Sequence, residues 1–309
     1  MRRRDFLKTS IGASIGAGTV FSIGGNTKLL ATAPDTAKYD LVTITGGKPD
    51  AMFDIGIKEM GGMREFVKKG QKVLIKPNIG FDRIPEMAAT TNPLLVKRIV
   101  KRCFEAGAKE VYVFDNTAQE CNNWIDCYKN SGIWNAAKSQ GAKIVPPHLE
   151  SYYQQVDITS GLRLKSVKVH ELLFETDVFI NVPILEDHPL TKMTCCLKNL
   201  IGIVWDRKYW HFNDLNQCIA DYATFEKKPV LNVIDCYNIM VSHGPQGVSK
   251  EDVVSRKSQI LTIDPVAGDI AASKIMGVPT EMISYIPIAH SMGVGNMNLD
   301  SMNIRNIRM

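Results

Sequence analysis

No C-x-x-C pair occurs in the sequence, although it holds seven cysteines. That absence excludes zinc-ribbon and ferredoxin spacing, and seven cysteines in 309 residues do not make a disulfide framework. H-E-x-x-H and G-x-S-x-G are missing too, which argues against a zincin and a serine hydrolase. There is no G-x-x-x-x-G-K-[ST], and no G-x-G-x-x-G follows a strand run in the body, so no known phosphate loop is present. Surplus charge is scarce as well. Of the net +5, the segment 1–33 supplies four charges, with Arg2, Arg3, Arg4, Lys8 and Lys28 against Asp5. The nearly neutral remainder lacks the electrostatic footprint of a nucleic-acid binder.

What is present alternates. Short runs rich in Val and Ile read as strands: KVLI (72–75), VYVF (111–114), AKIV (142–145), VFINV (178–182), VLNVI (230–234) and QILTI (259–263). Between them PLLVKRIVKRCFEAG (93–107), Ile133–Gln140 and DPVAGDIAASKIMG (264–277) have helical spacing. The expected fold is α/β, a mainly parallel sheet flanked by helices in a single large domain over 38–300. A small antiparallel excursion is expected at 151–168.

The strand ends carry the chemistry. KVLI runs into Lys76-Pro77-Asn78, VYVF into Asp115-Asn116, and VFI into Asn181-Val182-Pro183; LNVI ends at Asp235 and ILTI at Asp264. Each residue alone is an ordinary turn or cap residue. Five such ends, one of them bearing a lysine, point to a shared site at the carboxyl ends of the strands. In this reading Lys76, His188 and Lys198 are catalytic, and Asn78, Asn116, Asn181, Asn199 and Gly244 contact a substrate or cofactor. Asp115, Asp235 and Asp264 would supply oxygen ligands to a divalent metal. Gly244-Pro245-Gln246-Gly247 is a turn signal for a loop over one end of the sheet.

HPLTKMTCCLKNLIG (188–202) follows VFINV after a short loop. Helical spacing would set Met193, Leu197, Leu200 and Ile201 on an apolar face and Thr191, Cys195, Lys198 and Gly202 on another. Lys198 would then reach back toward the helix mouth at His188, where free N–H groups suit an anion. The plain alternative is a lysine whose amine turns out to water.

The motifs KPNIGF, TTNPLLVKRIV, EAGAKEVYVFDN, INVPILEDHPLTKMTCCLKNLIG, NVIDCYNIMVSHGPQG and DPVAGDIAA occur in that order between about residues 40 and 280. In this order they resemble the family catalogued as domain of unknown function 362. The resemblance implies an α/β domain, sometimes fused to ferredoxin modules, with no settled activity. This chain lacks the ferredoxin cysteines, so an intrinsic iron–sulfur cluster is not expected. It also has Glu186-Asp187-His188 where the family has Lys-Thr-His. The ten-residue spacing of His188 and Lys198 is similar to that of the nickel-dependent lactate racemase family, whose lysine carries the cofactor.

Arg3-Arg4-Asp5-Phe6-Leu7-Lys8 resembles the twin-arginine export signal. A glycine-rich, weakly apolar stretch follows, then Ala31-Thr32-Ala33 as a small-x-small cleavage site. Residues 1–33 are therefore expected to address the chain to the twin-arginine machinery, and the protein to the periplasm or cell envelope. The segment is either removed or kept as an anchor, and no spanning helix is expected in the mature chain. Cys121 and Cys127 either pair outside the cytoplasm or stay as buried thiols.

Three functions stay open from sequence. One is an exported redox or metal-assisted enzyme acting on a small anionic ligand, with a redox partner protein. Another is a binding or maturation partner that handles a cofactor without turnover. The last is a structural subunit with a vestigial site.

Overall fold

Valine- and isoleucine-rich runs with alternating faces build the centre of the protein, seen here in a computed structural model that describes residues 39–118, 121 and 123–309. The expected export signal at 1–33 lies outside the described residues. Twelve strands occur among these: β1 (Leu41–Thr45), β2 (Lys72–Pro77), β3 (Glu110–Val113), β4 (Lys143–Ile144), β5 (Tyr153–Asp157) and β6 (Ser166–His170), then β7 (Val178–Val182), β8 (Ile184–His188), β9 (Lys192–Thr194), β10 (Leu231–Met240), β11 (Val253–Thr262) and β12 (Ile304–Arg308). The main sheet has the order β12-β1-β11-β10-β7-β2-β3-β4, with β8 joined to β10 and β9. The expected excursion is the antiparallel pair β5–β6, registered from Tyr153 opposite His170 to Asp157 opposite Ser166.

The fold is the expected one, a mainly parallel mixed sheet flanked by helices in a single α/β domain. The sheet takes in β12, so it extends past residue 300. Side chains alternate across it: Leu74 joins one apolar cluster, while Val73 and Ile75 join the other. Helices Pro49–Glu59 and Pro93–Ala106 cover the second face with Met52, Phe53, Leu95 and Ile99. Helices Leu215–Ala223, Pro265–Met276 and Tyr285–Ser291 cover the first. The helix Pro93–Ala106 starts where Asn92 accepts from the Leu94 N–H and stops at Gly107, whose φ of 105° suits glycine. Among the described residues no helix is long and apolar enough to cross a membrane.

Two expectations change. β11 runs antiparallel to both neighbours, β10 and β1, within a sheet otherwise parallel along its main order. Its carboxyl end, and Asp264 with it, therefore lies at the opposite edge from the ends of β2, β3 and β7. The second change concerns 188–202, which is not one helix. His188 closes β8, and Glu186, Asp187 and His188 pair with Thr194, Met193 and Lys192 in a hairpin. Pro189 and a left-handed Lys192 (φ 65°) make its turn. The helix begins only at Cys196 and ends at Asn199, followed by a tight turn over Leu200–Ile203. Burial of Met193 and Thr194 in the hairpin wins over helical spacing.

Candidate functional site

At the carboxyl edge of β2 and β3 two opposite charges are folded inside the protein. Lys76 Nζ lies 2.7 Å from Asp115 Oδ1, and both side chains are almost wholly buried. The amine also donates to Pro77 O at 3.0 Å and Asn199 Oδ1 at 3.1 Å. Asp115 Oδ2 accepts from the Ile79 N–H at 2.6 Å. Burial lowers the pKa of Lys76 and raises that of Asp115, and their mutual attraction opposes both shifts. Such a pair breaks at high cost when one partner is removed.

A second pair sits beside it. Lys198, on the short helix Cys196–Asn199, donates to Thr194 Oγ1 at 3.3 Å and feels the charge of Glu186 on β8. Glu186 Oε1 accepts from Asn78 Nδ2 at 3.2 Å, and Oε2 has no hydrogen-bond partner among the described residues. Burial pulls the Lys198 amine down and pushes the Glu186 carboxyl up, so the two approach each other in proton affinity. His188 Nδ1 accepts from the Leu190 and Thr191 N–H groups at 3.3 and 3.4 Å, which leaves the proton of the neutral ring on Nε2. Burial, with the Lys198 charge second, holds its pKa down to about 2.

A cavity of about 970 Å³ opens over these groups. Lys76, Asn78, Asp115, Asn116, His188, Lys198 and Asn199 of the sequence-derived set line it. Asn181 stands one layer behind, accepting from Asn199 Nδ2 at 2.8 Å and donating to Cys196 O and Asn232 Oδ1. Gly244 is not among the lining residues. Its N–H donates to Asp187 Oδ2, and it brings Pro245 and Gln246 to the rim. Asp235 is buried outside the lining, holding the Asn92 and Tyr237 N–H groups at 2.7 and 3.1 Å, and burial pushes its pKa up to about 6. Asp264 caps the helix Pro265–Met276 at the far edge, accepting from Val266, Ala267 and Asn296 N–H groups.

The three carboxylates Asp115, Asp235 and Asp264 thus form no common ligand set. Among the described residues, the group whose ligand atoms lie within 4.8 Å of one another is Cys195, Cys196 and Asp269, all buried. Two thiols and a carboxylate could hold a soft divalent ion once the thiols are deprotonated. Asp269, however, already accepts from the Cys196 and Leu197 N–H groups at 2.7 and 3.3 Å. Burial also pushes the Cys195 thiol up to about 12 and Cys196 well above its ordinary range. This geometry suits a cap that anchors the helix bearing Lys198 and Asn199.

Sequence reasoning missed Glu186, Gly202 and Arg207. Glu186 was visible only as a departure from Lys-Thr-His. Gly202 roofs the buried ion pair, and its carbonyl accepts from the Asn116 N–H at 2.9 Å. Arg207 donates to the carbonyls of Asn116 and Thr117 and adds positive potential at both lysines. Cys121 and Cys127, left open from sequence, are joined in a disulfide.

A family model described as Domain of unknown function (DUF362) matches residues 73–274. A thylakoid-associated protein of Synechocystis sp. is 26% identical over 234 residues, covering 72% of this chain and 70% of that protein. A solved structure from Thermotoga maritima aligns with a TM-score of 0.50 and 15% identity, over 76% of this chain and 60% of that one. The lactate racemase apoprotein of Thermoanaerobacterium thermosaccharolyticum aligns with a TM-score of 0.48 and 12% identity, over 77% and 57%. This chain therefore spans less than two thirds of either solved protein, and the Thermotoga likeness is one of fold.

Proposed function

The chain belongs to the DUF362 family, and from that premise we propose that it is an enzyme binding a small anionic substrate in the carboxyl-edge cleft. There Glu186 and Lys198, which line the same cavity, serve as acid and base toward the bound anion. The carrying observation is this pair: a buried amine and a buried carboxyl in one cavity, each shifted by burial toward the other. Groups poised in this way serve acid–base steps near neutral pH. Neutral His188 donates from Nε2, Asn78 and Asn116 orient the substrate, and Lys76, fixed by Asp115, supplies a positive field without being spent. The residues themselves move only a proton; a redox or metal-assisted step would take its electron acceptor or divalent ion from outside the chain, and such an ion would meet Glu186 there.

We assign residues 1–33 to a twin-arginine signal and 38–300 to the core of the exported domain, placed in the periplasm or cell envelope. The Cys121–Cys127 disulfide supports an oxidising location. The second reading is a non-catalytic cofactor-binding or maturation partner of an exported redox enzyme, favoured by a Lys76 whose charge is already held by buried Asp115.

The test is a panel of small carboxylates and inorganic phosphate, scored by thermal stabilisation and by deuterium uptake from heavy water in NMR. Enzyme chemistry predicts an anion that stabilises the protein and gains deuterium, with both effects lost in Lys198→Met. Stabilisation without exchange would favour the maturation partner. No stabilisation by any anion would leave the charges with a structural role.

A further inference from the structure

The cavity is larger than a small anion requires. At about 970 Å³ it matches the upper end of pockets that enclose drug-sized ligands, roughly 300–1,000 Å³. Besides the polar groups already described, one short segment supplies four aromatic rings to its lining: Trp205, Tyr209, Trp210 and Phe212. That segment is docked on β6, where Val204 bridges Val169 and the Trp205 N–H donates to Lys168 O at 3.0 Å. Trp205 packs against Tyr153, with ring centroids 5.1 Å apart. Tyr209 and Phe212 remain 43% and 84% exposed, so large rings stand in water at the rim of the cleft.

Trp210 gives the second observation. It is 1% exposed and packs against Tyr222 at 5.5 Å, yet its indole Nε1–H has no acceptor among the described residues. A buried donor without a partner is costly, and a phenylalanine would fill much of the space without that cost. That nitrogen exposes less than 1 Å², so a ligand acceptor reaches it when the indole turns toward the cavity that Trp210 lines with Glu186.

We propose that the substrate is an aromatic or other ring-bearing organic anion. Its charged group lies at Lys198, its ring lies against Trp205, Tyr209 and Phe212, and an acceptor on its body takes the Trp210 Nε1–H. The inference rests on the anion-binding reading above and names its substrate class. Aromatic faces suit a flat body, since offset ring contacts add to the burial of apolar surface.

Matched probes separate the parts: acetate, phenylacetate, and the 3- and 4-methoxyphenylacetates, titrated by calorimetry and tryptophan fluorescence. Phenylacetate should bind at least about tenfold more tightly than acetate, and one methoxy isomer tighter again. Tyr209→Ser with Phe212→Ser, both exposed positions, should remove most of the ring's gain. Trp210→Phe should remove the methoxy gain and leave the ring's gain in place. Equal affinity for acetate and phenylacetate in the wild type would overturn the inference while leaving the anion site standing. If neither acid binds, the anion site itself is lost and this substrate class goes with it.

Discussion

Gly202 and Asp115 approach so closely that no side chain fits between them: a Cβ on Gly202 would lie 1.9 Å from Asp115 Oδ1. The same atom would lie 2.6 Å from Lys76 Nζ. Glycine is required here by contact rather than by a left-handed backbone. Gly202→Ala should therefore push the ion pair apart and cost about 3–5 kcal/mol, the scale for a broken buried pair. Urea unfolding reads this directly. Asp115→Ala should cost a similar amount, and the double variant much less than the sum, because both changes break one contact. A Gly202→Ala protein as stable as wild type would show that the roof is not tight.

Asp235 makes stability depend on pH. Its native pKa, about 6, lies above the ordinary 3.8, so the native state holds the proton more tightly than the unfolded chain does. That contribution is full below the unfolded value and is lost as pH rises through about 6. A shift of this size corresponds to about 3 kcal/mol. Between pH 4 and pH 7 the difference in stability between Asp235→Asn and wild type should move in favour of the variant by most of that amount. Denaturation at several pH values measures it, and a constant difference would mean that the carboxylate is better solvated than its burial implies.

Asp264 should behave as a cap and nothing else. Asp264→Ala removes the acceptor of the Val266 and Ala267 N–H groups, and of Asn296. The expected loss is about 1–2 kcal/mol, with anion-induced stabilisation unchanged because the residue lies at the opposite edge of the sheet. Weaker anion binding in this variant would contradict that placement.

Export and the disulfide should change together. With Arg3 and Arg4 both replaced by lysine, the precursor should remain in the cytoplasm, and thiol trapping should find Cys121 and Cys127 reduced. With export as proposed, the wild-type protein should show them joined. Normal export of the double variant would point to another route.

Six strands were legible because Val and Ile runs mark buried strands, whereas β1, β8, β9 and β12 were not read from sequence. What sequence concealed was direction. QILTI has the same composition as its neighbours, and nothing in it reveals that β11 is reversed, so Asp264 was grouped with Asp115. The stretch from His188 to Gly202 hid a hairpin for a related reason. Spacing alone offered a helix, while the pairing of Glu186 with Thr194 depends on burial that local pattern does not encode. Lys76, Asn78, Asp115, Asn116, His188, Lys198 and Asn199 were found from strand ends and one motif. Glu186 and Trp210 were not, since a carboxylate in a hairpin and an indole in an apolar cluster carry no local signature.

The place of β1 between β11 and β12 also governs time. Leu41 pairs with Thr262 on one side and Ile304 on the other, so both partners come from far along the chain. The strands that carry Lys76 and Asn181, with Asp115 just past β3, join across much shorter separations. Closing long loops costs entropy before any contact rewards it, so pairings this distant slow a sheet's completion. Until β1 arrives, the backbone groups along one side of β11 are open to any other strand, and aggregation competes with folding. Slow synthesis or a folding helper should therefore raise the yield of this protein more than any change within its cleft.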